Sequence, residues 1–193
     1  MNIMSNIDEI EQLLQESIDM KKKLMLETSI IQDIVDVITE AYKNGKKVIL
    51  FGNGGSAADA QHLAGEFVGR FFKERQSLPA LALHTNSSIV TALANDYGYD
   101  VIFKRQLEAY LETGDIAIGI STSGNSSNVV EALKYAQEKG AITIGFVGKK
   151  PCEIDGIADY VLKIPSESTP RIQEGHITAG HIICYLVEKN LFP

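Results

Sequence analysis

The chain has 193 residues and a net charge of −7 at pH 7. This length suits one α/β domain with a hydrophobic core, so we expect residues 1–193 to form a single domain. The acidic charge disfavours binding to nucleic acid or to an anionic membrane, and no apolar run approaches the roughly 18 residues of a membrane span. The first thirty residues are charged throughout, unlike a secretory signal, and the two distant cysteines are typical of free thiols. These features together predict a cytoplasmic protein.

The first 45 residues predict two helices. Apolar side chains recur at helical spacing over residues 7–26 and again over 28–42, and the second helix should stop near Asn44-Gly45. Both helices precede the first predicted strand and lie outside the alternating series that follows. Such an amphipathic helix either packs on its own sheet or pairs with another subunit, and the pattern leaves both alternatives open.

Residues 46–193 alternate between short apolar runs and helical patterns. Strands are predicted at 47–51, 79–83, 115–120, 141–147 and 159–164, and helices at 56–71, 88–96, 99–111, 127–139 and 171–190. This alternation indicates a parallel sheet that is covered by helices on both faces. With right-handed crossovers, it predicts a doubly wound, five-stranded, flavodoxin-like α/β fold.

Two loops rich in glycine and serine follow predicted strands and open helices. The first is GNGGS at 52–56, and the second is STSGNS at 121–126. Glycine lets the backbone approach a ligand closely, and a helix N-terminus offers free N–H groups to an anion. Gly, Ser and Asn are also common turn and N-cap residues, so either loop alone is ambiguous. Two such loops at one edge of the sheet favour binding of a phosphate ester. The first loop lacks the lysine of a P-loop, which disfavours a nucleotide as the ligand.

Two pairs of polar residues are spaced so that the members of each pair lie on the same face of a helix. His62 and Glu66 are four residues apart, with Arg70 continuing the same stripe, and Gln173 and His181 are eight apart on the last helix. Imidazole and carboxylate at such spacing can share a metal ion. Spacing alone does not show that the two helices meet, and glutamine is an uncommon zinc ligand. The two other histidines, His84 and His176, are assigned no direct role.

Four segments resemble the bacterial phosphoheptose isomerases, which are members of the sugar isomerase (SIS) domain superfamily. They are GNGGSAADAQHLAGEFVGRF (52–71), TALANDYGYDVIFKRQL (91–107), STSGNSSNV (121–129) and RIQEGHITAGHII (171–183). The glycine and serine loops are shared by the superfamily, whereas AQHLAGEFVGRF and the RIQE segment with its two histidines are specific to the isomerases. The resemblance implies conversion of sedoheptulose 7-phosphate to D-glycero-D-manno-heptose 7-phosphate, the first step toward ADP- or GDP-heptose precursors of surface glycans such as lipopolysaccharide.

The resemblance also implies the site residues and the assembly. It implies one zinc ion per subunit, and a homotetramer with active sites between subunits and a bundling role for the helices of residues 1–45. The zinc ligands would be His62, Glu66, Gln173 and His181. The substrate contacts would be Asn53, Gly54, Gly55, Ser56, Glu66, Asn95, Asp96, Ser121, Thr122, Ser123, Ser126 and Gln173.

The implied reaction suggests roles for two of these residues. Moving a carbonyl between neighbouring carbons requires a base that removes a proton from one carbon and returns it to the next. We expect Glu66 to be that base and His181 to act as an acid and base on the sugar oxygens. Zinc could stabilise the enediolate or be structural, since a metal-bound carboxylate is a poorer base.

Two rival functions remain at this point. A non-catalytic SIS protein, such as a sugar-phosphate sensor or a protein that associates with the replication initiator DnaA, would keep both loops without needing Glu66, Gln173 and His181. A different isomerase would act on a pentulose, hexulose or amino-sugar phosphate.

Overall fold

The computed structural model describes residues 5–193, which form seven α-helices around one sheet. The helices are α1 Asn6–Leu24, α2 Thr28–Lys43, α3 Gly55–Val68, α4 Ser87–Tyr97, α5 Ile102–Tyr110, α6 Ser127–Glu138 and α7 Thr169–Leu191. The strands are β1 Val48–Gly52, β2 Ala80–Ala82, β3 Ile116–Ile120, β4 Ile142–Gly148 and β5 Tyr160–Ile164. None of the helices in residues 5–193 is both long and apolar enough to cross a membrane.

The five strands are all parallel and follow the order β2-β1-β3-β4-β5. This is the order of flavodoxin-like folds, so the predicted doubly wound sheet is confirmed. The order reverses between β1 and β3, and ligands bind such sheets at the carboxyl ends of the strands beside that reversal. The GNGGS loop follows β1 and the STSGNS loop follows β3, so the two loops are neighbours there.

Two apolar layers cover the faces of the sheet. One layer is formed by α2, α3 and α7, with Phe67 and Val187 among its buried side chains. The other is formed by α5 and α6, with Phe103 and Leu133. The central strands β1 and β3 are buried along their whole length, which explains why they lack the alternation of polar and apolar residues. The site helices α3 and α7 lie on the same face of the sheet.

Helix α1 leaves most of its apolar stripe uncovered. Its N-terminus carries a capping box between Ser5 and Asp8, and only Met20 and Leu24 are buried. The stripe residues nearer the N-terminus are exposed in the protomer: Ile7, Ile10, Leu13, Leu14 and Ile18. In contrast, α2 buries Ile34, Val35 and Ile38 fully against the core. Of the two alternatives for the N-terminal helices, α2 therefore packs on its own sheet and α1 largely does not.

The helix that follows β1 is shorter than the sequence predicts. We expected it to run over 56–71, but α3 ends at Val68, and Arg70 therefore lies in the following loop and does not continue the stripe of His62 and Glu66. Two residues further along the chain form hydrogen bonds with the backbone at the end of α3 and just after it. Arg75 binds the last carbonyls of α3, and the carboxylate of Glu188 binds the N–H groups of 71–73. A local periodicity cannot reveal such distant partners.

The helix predicted over 99–111 also differs from the structure. Residues Tyr99–Val101 form a 3-10 turn, and α5 starts only at Ile102. Gly98, with a φ of 95° that favours glycine, separates this turn from α4. The turn brings Tyr99 and Asp100 to the beginning of α6, beside the two loops.

Candidate active site

The loop after β1 brings its backbone close to the last helix. Gly54 has a φ of 56°, which favours glycine, and it caps α3 without a side-chain hydrogen bond in the described structure. A methyl group at Gly55 would overlap the side chain of Gln173. The loop therefore places Gln173 of α7 directly against the N-terminus of α3, where backbone N–H groups attract an anion.

The loop after β3 brings several serine hydroxyls close together. The Oγ atom of Ser121 lies 3.0 Å from that of Ser126 and 3.4 Å from that of Ser123. The N–H of Gly124, whose φ is 66°, donates to Ser121 Oγ at 3.2 Å. These hydroxyls can reorient toward a ligand, because each is both donor and acceptor. Thr122 and Ser123 also line an open cavity of about 260 Å³, whose rim includes Gly148, Lys149 and Glu167.

A pair of asparagines joins the loop after β1 to the first turn of α6, which follows the loop after β3. Asn53 Nδ2 donates to Asn128 Oδ1, and Asn128 Nδ2 donates to Asn53 Oδ1, both at 2.9 Å. Tyr99 adds a hydroxyl that donates to Asn53 Oδ1 at 3.2 Å. Asn128 is only 2% exposed, so its half of this amide pair is shielded from water. The side chain of Asn53 is thus engaged in holding the loops together.

Sequence reasoning missed Asn128. It stands in the first turn of α6, next to Val129 and Val130, where the buried face of the helix is otherwise apolar. A polar residue at such a position normally has a partner, and that was the available signal. The partner itself could not be identified, since Asn53 lies far earlier in the chain, on the loop after β1.

Breaking the asparagine pair should destabilise the fold. Asn128→Leu leaves the Asn53 amide without its buried partner, which costs about 1–3 kcal/mol. The free energy of unfolding in urea measures this for Asn128→Leu, Asn53→Leu and the double variant. We expect a coupling energy above about 0.5 kcal/mol between the two sites. Strictly additive effects would show that the two amides do not support each other.

Three side chains of metal-ligating type meet between α3 and α7. His62 Nε2 lies 3.0 Å from Glu66 Oε1 and 3.0 Å from His181 Nε2. Among the described residues these three form a group whose ligand atoms all lie within 4.8 Å of one another. The two helices, whose meeting the residue spacing alone did not show, therefore lie against each other at these side chains. Gln173 lies about two turns before His181 on α7 and contacts the loop at Gly55.

The surroundings of this cluster are polar and partly open. The exposed fractions of the His62 and Glu66 side chains are 48% and 26%. Asp59, one turn before His62 on α3, has a buried carboxyl oxygen without a hydrogen-bond partner in residues 5–193. Desolvation raises the pKa of Asp59 to about 6, although His62 opposes this rise. On the other side, the ring of Phe71 lies 5.8 Å from that of His181.

The side chains of Asn95 and Asp96 are hydrogen-bonded only to each other in the described protomer. Both are exposed on α4. Their only side-chain hydrogen bond within the described range joins Asn95 Nδ2 to Asp96 Oδ1 at 2.8 Å. In one protomer these two predicted substrate contacts therefore make no side-chain hydrogen bond to the other predicted site residues.

His176 is buried beside the site without joining it. It is fully buried on α7, and its Nε2 donates to the Val147 carbonyl at 3.3 Å. Burial lowers the pKa of His176 to about 4, with the Val147 hydrogen bond opposing. The residue anchors α7 to β4, and its lack of a direct role stays a prediction.

His176 should make stability depend on pH. The unfolded chain binds a proton near pH 6.5 and the folded chain only near 4, so acidification through this window favours unfolding. We compare the wild type with His176→Gln, because Asp59 titrates in the opposite sense and cancels in the difference. The stability advantage of the wild type should shrink by about 3 kcal/mol between pH 7 and pH 4, measured by urea unfolding. A difference that is independent of pH would contradict the neutral, buried imidazole.

Comparison with known proteins agrees with the fold and with the paired loops. A family model described as the SIS domain matches residues 7–148. Since this is most of the chain, the protein is an SIS-domain protein.

More similar relatives define the family within that class. The phosphoheptose isomerase of Aneurinibacillus thermoaerophilus is 52% identical over 188 residues, which is 96% of this chain and 95% of the relative. The solved structure of a phosphoheptose isomerase from Neisseria gonorrhoeae has a TM-score of 0.91 at 36% identity, and one from Francisella tularensis has 0.93 at 30%. Each covers 96% of this chain and 100% of its own. The chain belongs to the phosphoheptose isomerase family and is an isomerase.

Proposed function

We propose that the protein converts sedoheptulose 7-phosphate to D-glycero-D-manno-heptose 7-phosphate by proton transfer through an enediolate. The observation that supports this most is the cluster of Glu66 with His62 and His181 between α7 and the helix that follows the GNGGS loop. A sugar-phosphate sensor or a DnaA-associated protein would need the two loops but not this cluster. The related enzymes are named for a phosphoheptose, which supports the length of the sugar.

The phosphate would be held at the sheet edge. The hydroxyls of Ser121, Thr122, Ser123 and Ser126 and the N-terminus of α6 supply donors without formal charge, which suits an anion in an acidic chain. Asn53, Gly54, Gly55, Ser56 and Gln173 would contact the sugar from the first loop and α7. Asn95 and Asp96 would complete the contacts, and their exposure in one protomer supports a site that is finished by a neighbouring subunit.

Glu66 would perform the proton transfer. Its carboxylate would remove the proton from the carbon next to the carbonyl and deliver it to the carbonyl carbon, which interconverts ketose and aldose. His181 would move protons between the sugar oxygens, including during ring opening. Both side chains contact the same Nε2 atom of His62, and the three ligand atoms lie within 4.8 Å of one another, so both can face one substrate.

The cluster fits a zinc ion. Two imidazoles whose Nε2 atoms lie 3.0 Å apart beside a carboxylate are a donor set that divalent zinc binds well. The proposed ligands of one ion per subunit are His62, Glu66, Gln173 and His181. When bound, zinc would supply positive charge that stabilises a developing oxyanion of the substrate. Asp59, with its unpartnered buried oxygen one turn from His62, is positioned to support that ligand from α3.

We also propose a homotetramer built on the N-terminal helices. The exposed stripe of α1 adjoins an apolar groove lined by Ile18, Leu24, Met25, Ile31 and Ile182. Together they form a continuous apolar surface, which supports burial against further copies of the chain. In light scattering, the wild type should have the mass of a tetramer. Ile10→Glu should lower that mass and the polar control Gln12→Glu should not; a monomeric wild type would contradict the proposal.

The reaction would take place in the cytoplasm. The thiols of Cys152 and Cys184 are free, which supports a reducing compartment such as the cytoplasm. The product would be the first precursor of ADP- or GDP-heptose for surface glycans such as lipopolysaccharide.

A substrate panel tests the proposed function. The purified protein is incubated with sedoheptulose 7-phosphate and, separately, with pentulose, hexulose and amino-sugar phosphates, and kcat/KM is measured for each. We expect the heptulose phosphate to give the highest kcat/KM. Turnover of a shorter ketose phosphate at a higher kcat/KM would assign a different isomerase, and binding without turnover of any member would assign a binding protein.

A further inference from the structure

Glu188 is a carboxylate buried near the end of α7, about two turns after His181. Its oxygens accept hydrogen bonds from the N–H groups of Phe71, Phe72 and Lys73 at 2.9, 2.8 and 2.8 Å. Desolvation alone would raise the pKa of Glu188, but these donors and Arg75 outweigh it and lower the pKa to about 2. Glu188 therefore stays ionised and holds the loop after α3 against α7.

Arg75 binds both Glu188 and the end of α3. Its side chain is 2% exposed, and Nε donates to Glu188 Oε2 at 2.9 Å. Its Nη1 and Nη2 atoms donate to the carbonyls of Phe67 and Glu66, each at 2.9 Å. These carbonyls belong to the last turn of α3, where no partner exists inside the helix. The guanidinium thus caps α3 at the residue that carries the proposed base, and its charge suits a helix C-terminus.

The two helices of the active site are therefore joined at their ends. Glu66 stands on the final turn of α3 and His181 on α7, and the Arg75–Glu188 pair connects these two elements. The same loop holds the Phe71 ring beside His181. Lys73 adds a hydrogen bond from its amino group to the Phe192 carbonyl.

A purely stabilising role explains this arrangement poorly. Taking two charges out of water is costly, and apolar residues of similar volume often stabilise a fold as well or better than a buried ion pair. What an apolar pair could not do is bind three N–H groups and two helix-end carbonyls in one fixed geometry.

We propose that Arg75 and Glu188 are positioning residues for the isomerisation, which act by fixing the backbone of Glu66 relative to His181. The inference rests on the proposed role of Glu66 as the base. A proton transfer requires close approach of the base to the carbon, and a displacement of about 1 Å can cost about 100-fold in rate. The GNGGS loop lies at the opposite end of α3 from Glu66, so substrate binding should depend much less on this pair.

The test separates catalysis from binding and from stability. The double variant Arg75→Met/Glu188→Met removes both charges together and avoids an unpaired buried charge. The matched control is Leu107→Ala, a core truncation in α5 on the other face of the sheet. At a temperature where circular dichroism shows all proteins folded, kcat of the double variant should fall by about 30- to 100-fold with KM within about threefold. The control should lose melting temperature but keep the wild-type kcat.

A milder variant keeps the proposal testable if the double variant does not fold. Arg75→Lys retains the positive charge, but one ammonium group cannot reach Glu188 and both carbonyls together. We expect kcat to fall by about tenfold with little change in KM. Wild-type kcat in either folded variant, or a fall no larger than that of Leu107→Ala, would overturn the positioning role. If Glu66→Gln retains turnover, the base assignment fails instead, so the two failures are distinguishable.

Discussion

Replacing Glu66 with glutamine should lower kcat by about 10²- to 10⁴-fold, which is the usual contribution of a positioned general base. Glutamine keeps the size of the side chain and an oxygen that can accept a hydrogen bond from His62, but it cannot accept the substrate proton. We therefore expect sedoheptulose 7-phosphate to bind the variant with an affinity close to that of the wild type. Steady-state kinetics measure the first effect, and isothermal titration calorimetry measures the second.

The matched control for this change is Glu138→Gln, at the exposed end of α6. It makes the same chemical replacement away from the site and should leave kcat and KM unchanged. The zinc content of Glu66→Gln is measured in parallel, because Glu66 is also a proposed ligand. Wild-type turnover by this variant would remove Glu66 from the mechanism, whatever its metal content.

Removing the metal should have the second largest effect. Stabilisation of a developing oxyanion by a metal contributes several kcal/mol, so chelation should lower kcat by about 10²- to 10³-fold, and added zinc should restore it. Zinc should also raise the melting temperature, since a ligand at 100 times its Kd stabilises the folded state by about 2.7 kcal/mol. The thermal shift reports binding independently of activity.

Histidine variants show whether the proposed cluster is the site that binds zinc. His62→Ala should abolish the thermal shift with zinc, whereas His84→Ala should keep it, because His84 is not part of the cluster. A purified protein without zinc that stays fully active after chelation would exclude the metal from the reaction. A zinc-dependent thermal shift in His62→Ala that equals the wild-type shift would place the metal elsewhere.

The sheet could be predicted from the sequence because its signals are local. Buried strands such as β1 and β3 are continuous apolar runs, and each is followed by a glycine- or serine-rich turn that opens a helix. The end of α3 could not be predicted, because the residues that stop the helix, Arg75 and Glu188, act from beyond it. Helical periodicity describes a helix but not the distant groups that bind its last turn.

The site was predictable to the extent that it depends on helix faces and strand ends. The spacing of His62 with Glu66 and the two loops follow from local geometry, and the meeting of α3 with α7 needed the fold. Asn128 was missed because its partner lies 75 positions earlier in the chain. Asn95 and Asp96 were named from a family resemblance alone, and in one protomer their side chains are hydrogen-bonded only to each other among the described residues.

The most direct measurement of the central claim follows the reaction by NMR. Zinc-loaded wild-type protein is incubated with sedoheptulose 7-phosphate in D₂O, with Glu66→Gln alongside. We predict an aldose 7-phosphate in the wild-type sample only, with deuterium at C2, since a proton carried on a carboxylate can exchange with the solvent. An unchanged ketose in the wild-type sample, or an equal rate of product formation in Glu66→Gln, would contradict proton transfer by this site.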